Sequence, residues 1–106
     1  MKYNLPSLLS HEFMPGLEGK MIHTDKMTLA FWDIKEGAEV PEHSHPHEQV
    51  LQLKEGRFDL TVDGNKVPLV AGDVYVIKSN ITHSGIALTD CKILDIFCPV
   101  REEYVL

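Results

Sequence analysis

Phe58-Asp59-Leu60-Thr61-Val62-Asp63-Gly64-Asn65-Lys66-Val67-Pro68-Leu69-Val70 reads as two strands joined by a tight turn. Asp63-Gly64 between the two runs is the expected connection of a β-hairpin, because such a loop needs backbone conformations that Asp and Gly reach at low cost. Pro68 has no N–H to give to a ladder, so its strand is expected at a sheet edge or at a bulge.

The same punctuation continues in both directions. Lys54-Glu55-Gly56 and Ala71-Gly72-Asp73 mark two more reversals. From about residue 20 onward, short apolar runs are interrupted by Gly, Pro, Asn or Asp every ~8 to 12 residues, the spacing of an all-β sandwich or barrel. The candidate strands are Lys20–His23, Met27–Lys35, Ala38–Pro41, Gln49–Lys54, Arg57–Val62, Lys66–Val70, Val74–Ile77, Thr82–Ala87 and Lys92–Cys98. No segment repeats every ~3.6 residues, so no long amphipathic helix is expected. Residues 1–19, with Pro6, Pro15, Gly16 and Gly19, show no periodicity and are expected to form an arm over the barrel or a neighbouring subunit. The barrel core is expected over about residues 37–98.

Length and composition bound the possibilities. The 106 residues suffice for one domain with a real core. Hydrophobic residues at 43% and charged residues at 25% are those of a folding chain. Net charge is -6, with no basic run interleaved with aromatics, so nucleic acid is not an expected partner. The N-terminal Met1–Phe13 lacks the apolar core of a secretory signal, and no apolar run approaches the ~20 residues of a membrane span. The expectation is a cytoplasmic protein without an anchor. Cys91 and Cys98 fall on one strand at odd separation, so they face opposite sides and are expected as unbonded core residues.

The chemistry concentrates in Pro41-Glu42-His43-Ser44-His45-Pro46-His47-Glu48-Gln49. In extended backbone His43, His45 and Gln49 share a face, and Leu51 and Leu53 continue it as an apolar floor. His83 returns after a turn, a strand and a short loop to offer a fourth donor. An HxH pair alone is more often structural than ligating, because short His patterns are weak signals. The joint spacing is more specific: Gly37 precedes His43, Gly56 follows Gln49, and Gly72-Asp73 opens the strand leading to His83. His43, His45, Gln49 and His83 are therefore expected to hold one divalent transition metal: Ni, Zn, Mn, Co or Fe. His47 and Glu48 are expected at the rim or orienting a ligand imidazole. His11 and His23 are expected on the surface.

With those residues in view, the sequence resembles the cupin superfamily, whose two signature motifs match Gly37–Gly56 and Gly64–Ala87 over about half the chain. In that family the first motif supplies two histidines and a Glu or Gln, and the second supplies a histidine. Two departures are visible: the frequent glutamate is Gln49, and the usual proline of the second motif is Lys78. The resemblance implies an all-β, single-domain cupin-type double-stranded β-helix, the jelly-roll β-barrel.

Pro41–Gln49 together with Ala87–Tyr104 is similar, more narrowly, to the pectin-degradation cupins, the KdgF-like family. That resemblance implies a metal-dependent enzyme of carbohydrate metabolism. Its substrates would be 4,5-unsaturated uronates from pectin and alginate breakdown, converted to linear ketonised sugar acids. It also implies Asp95, Phe97 and Arg101 as active-site groups. Asp95 and Phe97 share parity, and a carboxylate within an apolar strand fits a general acid or base facing a cavity. Phe97 would wall the sugar ring, and Arg101 would pair with the substrate carboxylate. The plainer readings stay open: a structural Asp95, a core Phe97 and a solvated Arg101. Trp32 and Phe31 read as core or interface residues, one of which could line the cavity, and the face of Trp32 is undecided.

Two other functions share the site: an Fe- or Cu-dependent dioxygenase, and a non-catalytic sugar-binding module. Exposed sheet edges make a homodimer the expected assembly.

Overall fold

The computed structural model describes residues 1–106 as ten strands with a short 3-10 turn near each end, Leu5–Ser7 and Glu102–Tyr104. The strands are β1 (His11–Met14), β2 (Leu17–His23), β3 (Thr28–Ile34), β4 (Glu39–His43), β5 (Glu48–Glu55), β6 (Arg57–Val62), β7 (Asn65–Val70), β8 (Val74–Ile77), β9 (His83–Ala87) and β10 (Cys91–Cys98). They form a six-stranded sheet ordered β1-β2-β3-β10-β5-β8 and a four-stranded sheet ordered β4-β9-β6-β7. Every pairing is antiparallel. The two-sheet jelly roll expected from the sequence is the fold observed.

Alternation builds the core. Successive side chains of a strand point to opposite faces, so one parity of each strand turns inward. On β3 these are Thr28, Ala30, Trp32 and Ile34; on β10, Cys91, Ile93, Asp95 and Phe97; on β6, Phe58, Leu60 and Val62. Leu53 of β5 and Ala30 are fully enclosed between the sheets. Gly85 on β9 is required by close packing, because a Cβ there would stand 2.3 Å from the Phe58 ring.

The hairpin read from the sequence joins β6 to β7, with φ of 49° at Asp63 and 77° at Gly64. Pro68 sits opposite Asp59 on β7, the outermost strand of its sheet, as its missing donor requires. Residues 11–19 depart from the arm that was expected. They fold back as β1 and the start of β2 and extend the six-stranded sheet. In β1 a register shift between Glu12 and Met14 breaks the alternation, which hides a strand of only four residues from a period-2 reading. Cys98 also departs: it is exposed at the end of β10, while Cys91 is buried, and both are free. No helix is long and apolar enough to cross a membrane.

Candidate metal centre

His43 ends β4 and His83 begins β9, and the two are direct cross-strand partners. Upstream, Glu39 pairs with Ile86 and Val40 with Gly85; the register then shifts by one before His43. Without the extra residue Glu42 would face His83, and His43 would lie on the other side of the sheet. Pro41, which cannot donate to a ladder, sits in this irregular stretch. The chain then leaves extended structure over Ser44–His47 and crosses to the facing sheet, where Gln49 lies on β5. The single extended face expected for His43, His45 and Gln49 is thus replaced by two sheets and the loop between them. That loop is tied to the one before β9, since Asn80 N donates to His45 O at 2.8 Å.

Each imidazole is fixed by a backbone carbonyl. Nδ1 of His43 lies 2.8 Å from Pro41 O, Nδ1 of His83 lies 2.8 Å from Ile81 O, and Nδ1 of His45 lies 3.0 Å from His47 O. A carbonyl only accepts, so Nδ1 carries the proton in all three rings and each Nε2 keeps its lone pair. One ring nitrogen from each histidine lies within 4.8 Å of the others. Two ligands of one ion stand at most ~4.2 Å apart, twice a Zn–N bond, so the cluster is nearly closed as it stands.

The donor set asks for a cation. His83 Nε2 is buried and has no hydrogen-bond partner. His45 Nε2 faces Gln49 Oε1 at 3.2 Å, and the Gln49 amide is oriented by its Nε2, which donates to Asp95 Oδ1 at 2.9 Å. With Asp95 ionised and His45 neutral, two acceptors confront each other, an arrangement that a positive ion between them resolves. His45 stays neutral over a wide range. Burial, then the charges of Arg101, His83 and His43, lower its pKa to about 4. Burial lowers His83 as well, against the bond to Ile81. The cluster fits a metal ion, and its residues leave the identity of that ion open.

The expected catalytic group is assembled around the same space. Asp95 and Phe97 on β10, and Arg101 beyond it, line one cavity with His43, Gln49, His83 and Leu51. Asp95 Oδ2 accepts from Trp32 Nε1 at 3.0 Å, so buried hydrogen bonds run from Trp32 through Asp95 to Gln49, whose Oε1 faces His45 Nε2. Burial raises the Asp95 pKa to about 6, against the bonds from Gln49 and Trp32 and the charge of Arg101. Arg101 is buried, with its guanidinium carbon 4.6 Å from the Phe97 ring centre and 4.5 Å from that of Tyr104. Below the histidines the cavity is walled mainly by apolar residues and encloses about 50 Å³, room for only a water or two. Arg101 and Tyr104 are among its lining residues.

Thr28 and Tyr104 went unassigned in the sequence, which does not decide the face of Trp32. Trp32 faces inward as the donor to Asp95. Thr28 Oγ1 accepts from Arg101 N at 2.9 Å and lies 2.8 Å from His23 Nδ1, while His23 Nε2 lies 3.2 Å from Tyr104 O. His23 is thus half-buried and holds the C-terminal segment in place, contrary to the surface position expected for it. Only its parity with Thr28, its cross-strand partner, hinted at this. His47 orients His45 through its carbonyl, and its own Nε2 meets Val100 O at 3.0 Å. Glu48 and His11 are exposed.

Comparison with known proteins agrees with this geometry. The cupin domain family profile matches residues 30–97. The chain is 28% identical over 97 residues to pectin degradation protein KdgF of Dickeya dadantii, covering 89% of this chain and 88% of that protein. It is 29% identical over 102 residues to an H2HPP isomerase of Bacillus subtilis, covering 93% of this chain but only 43% of the isomerase. Among solved structures, an RmlC-like cupin from Shewanella frigidimarina superposes with a TM-score of 0.90 at 29% identity, over 94% of this chain and 91% of that one. KdgF from a Halomonas species superposes with a TM-score of 0.86 at 27% identity, over 91% and 90%.

Proposed function

The chain belongs to the cupin domain family, and on that premise we propose that it is a metal-dependent isomerase acting on 4,5-unsaturated uronates from pectin breakdown. The observation that carries this reading is the buried Asp95 carboxyl, which accepts from Trp32 and from Gln49, whose other amide atom faces His45 of the metal centre. Two features of the relatives support it: KdgF proteins are matched along most of their length, and one further curated relative is an isomerase.

The reaction is redox-neutral. In the cyclic substrate the C1 hydroxyl loses its proton, the bond from C1 to the ring oxygen breaks, and that oxygen becomes an enolate at C5. A proton then adds at C4, leaving an aldehyde at C1 and a ketone at C5, with no atom gained or lost. Asp95 is proposed to move protons between the reacting positions, a role suited to a pKa near 6. Arg101 pairs with the substrate carboxylate, and Phe97 packs against the sugar ring. A metal bound by His43, His45, Gln49 and His83 supplies Lewis-acid polarisation of substrate oxygens.

The test is the ultraviolet absorbance of the conjugated unsaturated uronate, followed with metal-loaded protein. Accelerated loss that is abolished by Asp95→Ala supports the reading. An unchanged rate with fully loaded wild-type protein sinks it.

We also propose a homodimer. Ile22, Leu29, Ile96, Val50 and Val76 align across five strands on the outer face of the six-stranded sheet, and Val76 remains 52% exposed. An apolar row of this kind is more often covered than left in water.

A further inference from the structure

Arg101 is the only Lys or Arg side chain that is buried, and its Nε donates to Glu103 Oε1. The two partners are unequal: the Arg101 side chain is 7% exposed and that of Glu103 is 54% exposed. We propose that Glu103 sits in the carboxylate seat of Arg101, so that a sugar monocarboxylate bound at the metal centre takes that seat by displacing it. The inference rests on the reading of Arg101 as the group that receives the substrate carboxylate.

The surroundings of Glu103 permit the exchange. Its backbone is held on both sides without help from its side chain. Arg101 N donates to Thr28 Oγ1, and Tyr104 O is bound by His23 Nε2. The Tyr104 ring also packs edge-on against Phe13, Trp32 and Phe97, at centroid distances of 5.3, 5.8 and 5.9 Å. Glu103 can therefore rotate into water while the guanidinium stays against the Phe97 and Tyr104 rings. Its carboxylate, already half in solvent, recovers hydration at little cost.

The guanidinium has no such freedom. Stripping a buried charge of its partner is strongly unfavourable, so without ligand Glu103 keeps Arg101 neutralised. Arg101 lines the same cavity as His43, Gln49 and His83, within reach of an acid group carried by a ligand of the metal. Replacing one carboxylate with another conserves charge. A neutral sugar has nothing to exchange and leaves the internal pair intact. Glu103 thereby sharpens the preference for acids by making the seat available only to a competing anion.

The experiment is isothermal titration of zinc-loaded wild-type and Glu103→Gln proteins with D-galacturonate, with D-galactose as the neutral control. Removing the internal competitor is expected to tighten galacturonate binding about three- to fivefold, in line with the loss of a half-exposed ion pair, and to leave galactose unaffected. Equal or weaker galacturonate binding by a variant that melts like wild type overturns the proposal. Wild-type protein gives an independent reading by nitrogen-15 NMR: the Arg101 Nε–H resonance should shift with galacturonate and stay still with galactose. An unmoved resonance at saturation overturns the proposal even where the variant fails to fold. Neither readout requires turnover. Tightening without turnover retains the seat and removes the proposed reaction, and turnover without tightening does the reverse.

Discussion

His43 and His83 face each other across β4 and β9, their ring centres 4.3 Å apart, because one extra residue in β4 turns His43 inward. Two imidazoles so close, one with a buried Nε2 lacking any partner, are a costly pairing in the absence of a cation.

Metal removal should therefore destabilise the fold. At a free metal concentration 100 times Kd, binding adds about 2.7 kcal/mol, which for a domain of this size corresponds to a Tm change on the order of 10 °C. Calorimetry before and after chelation, with elemental analysis of both samples, measures it. His83→Ala is expected to lower bound metal from about one per chain to background and to make Tm insensitive to chelator.

Trp32→Phe keeps the ring in the core but removes the donor to Asp95 Oδ2. Loss of one buried, charge-assisted bond is expected to cost about 1.5–3 kcal/mol. With less stabilisation of its ionised form, Asp95 should titrate above its present value of about 6. The acidic limb of the rate–pH profile should move upward while bound metal stays at wild-type level. A profile superposable on wild type would show that Trp32 does not tune Asp95.

Acid stability of the metal-free protein follows from groups of opposing sign, His45 with His83, also lowered by burial, on one side and Asp95 on the other. His45 falls from 6.5 to about 4 on folding, so below pH 6.5 the unfolded chain takes up a proton that the folded chain does not. Its contribution is therefore lost as pH drops from 6.5 toward 4. Asp95 rises from 3.8 to about 6, so the folded chain holds the extra proton and stability is gained on acidification through the same window. The two slopes oppose each other. Asp95→Asn removes one of them, and urea titrations between pH 6.5 and 4 should show a steeper loss of stability in the variant than in wild type.

Gly85→Ala tests the packing of Phe58 over β9. The added methyl would lie 2.3 Å from the Phe58 ring, so the ring or the strand must move. Overpacking of this kind costs about 1–3 kcal/mol, readable as a lower urea midpoint.

Light scattering coupled to size exclusion tests the homodimer, which should elute at twice the 12.0 kDa of one chain. A charge placed in the outer apolar row by Ile96→Lys should return the mass to that of a single chain. A wild-type mass of one chain would withdraw the assembly.

What the sequence made legible was local. Asp63-Gly64 and Pro68 carry their conformational requirements in their own covalent structure, and the turn and the edge strand follow from them. The clustering of His43, His45 and His83 was legible because ligand types at fixed spacing are rare together. What stayed hidden depends on pairing. The slip between Val40 and His43 is a property of two strands, and no property of β4 alone announces it. Trp32 could be placed inward only once Ala30 and Ile34 were known to be core, and the strand at His11–Met14 exists because β2 lies beside it. His23 looked like a surface residue because its partner, the carbonyl of Tyr104, is 81 residues away.

His43 and His83 come from the four-stranded sheet, Gln49 from the six-stranded sheet, and His45 from the crossing between them. An ion held by all of them, as proposed, would be a rivet through both layers. Neither layer could then peel away without first surrendering a ligand. Hydrogen exchange at β9 and β5 should accordingly become synchronous once the rivet is in place, with the two layers opening in a single event where the empty protein allows them to open separately.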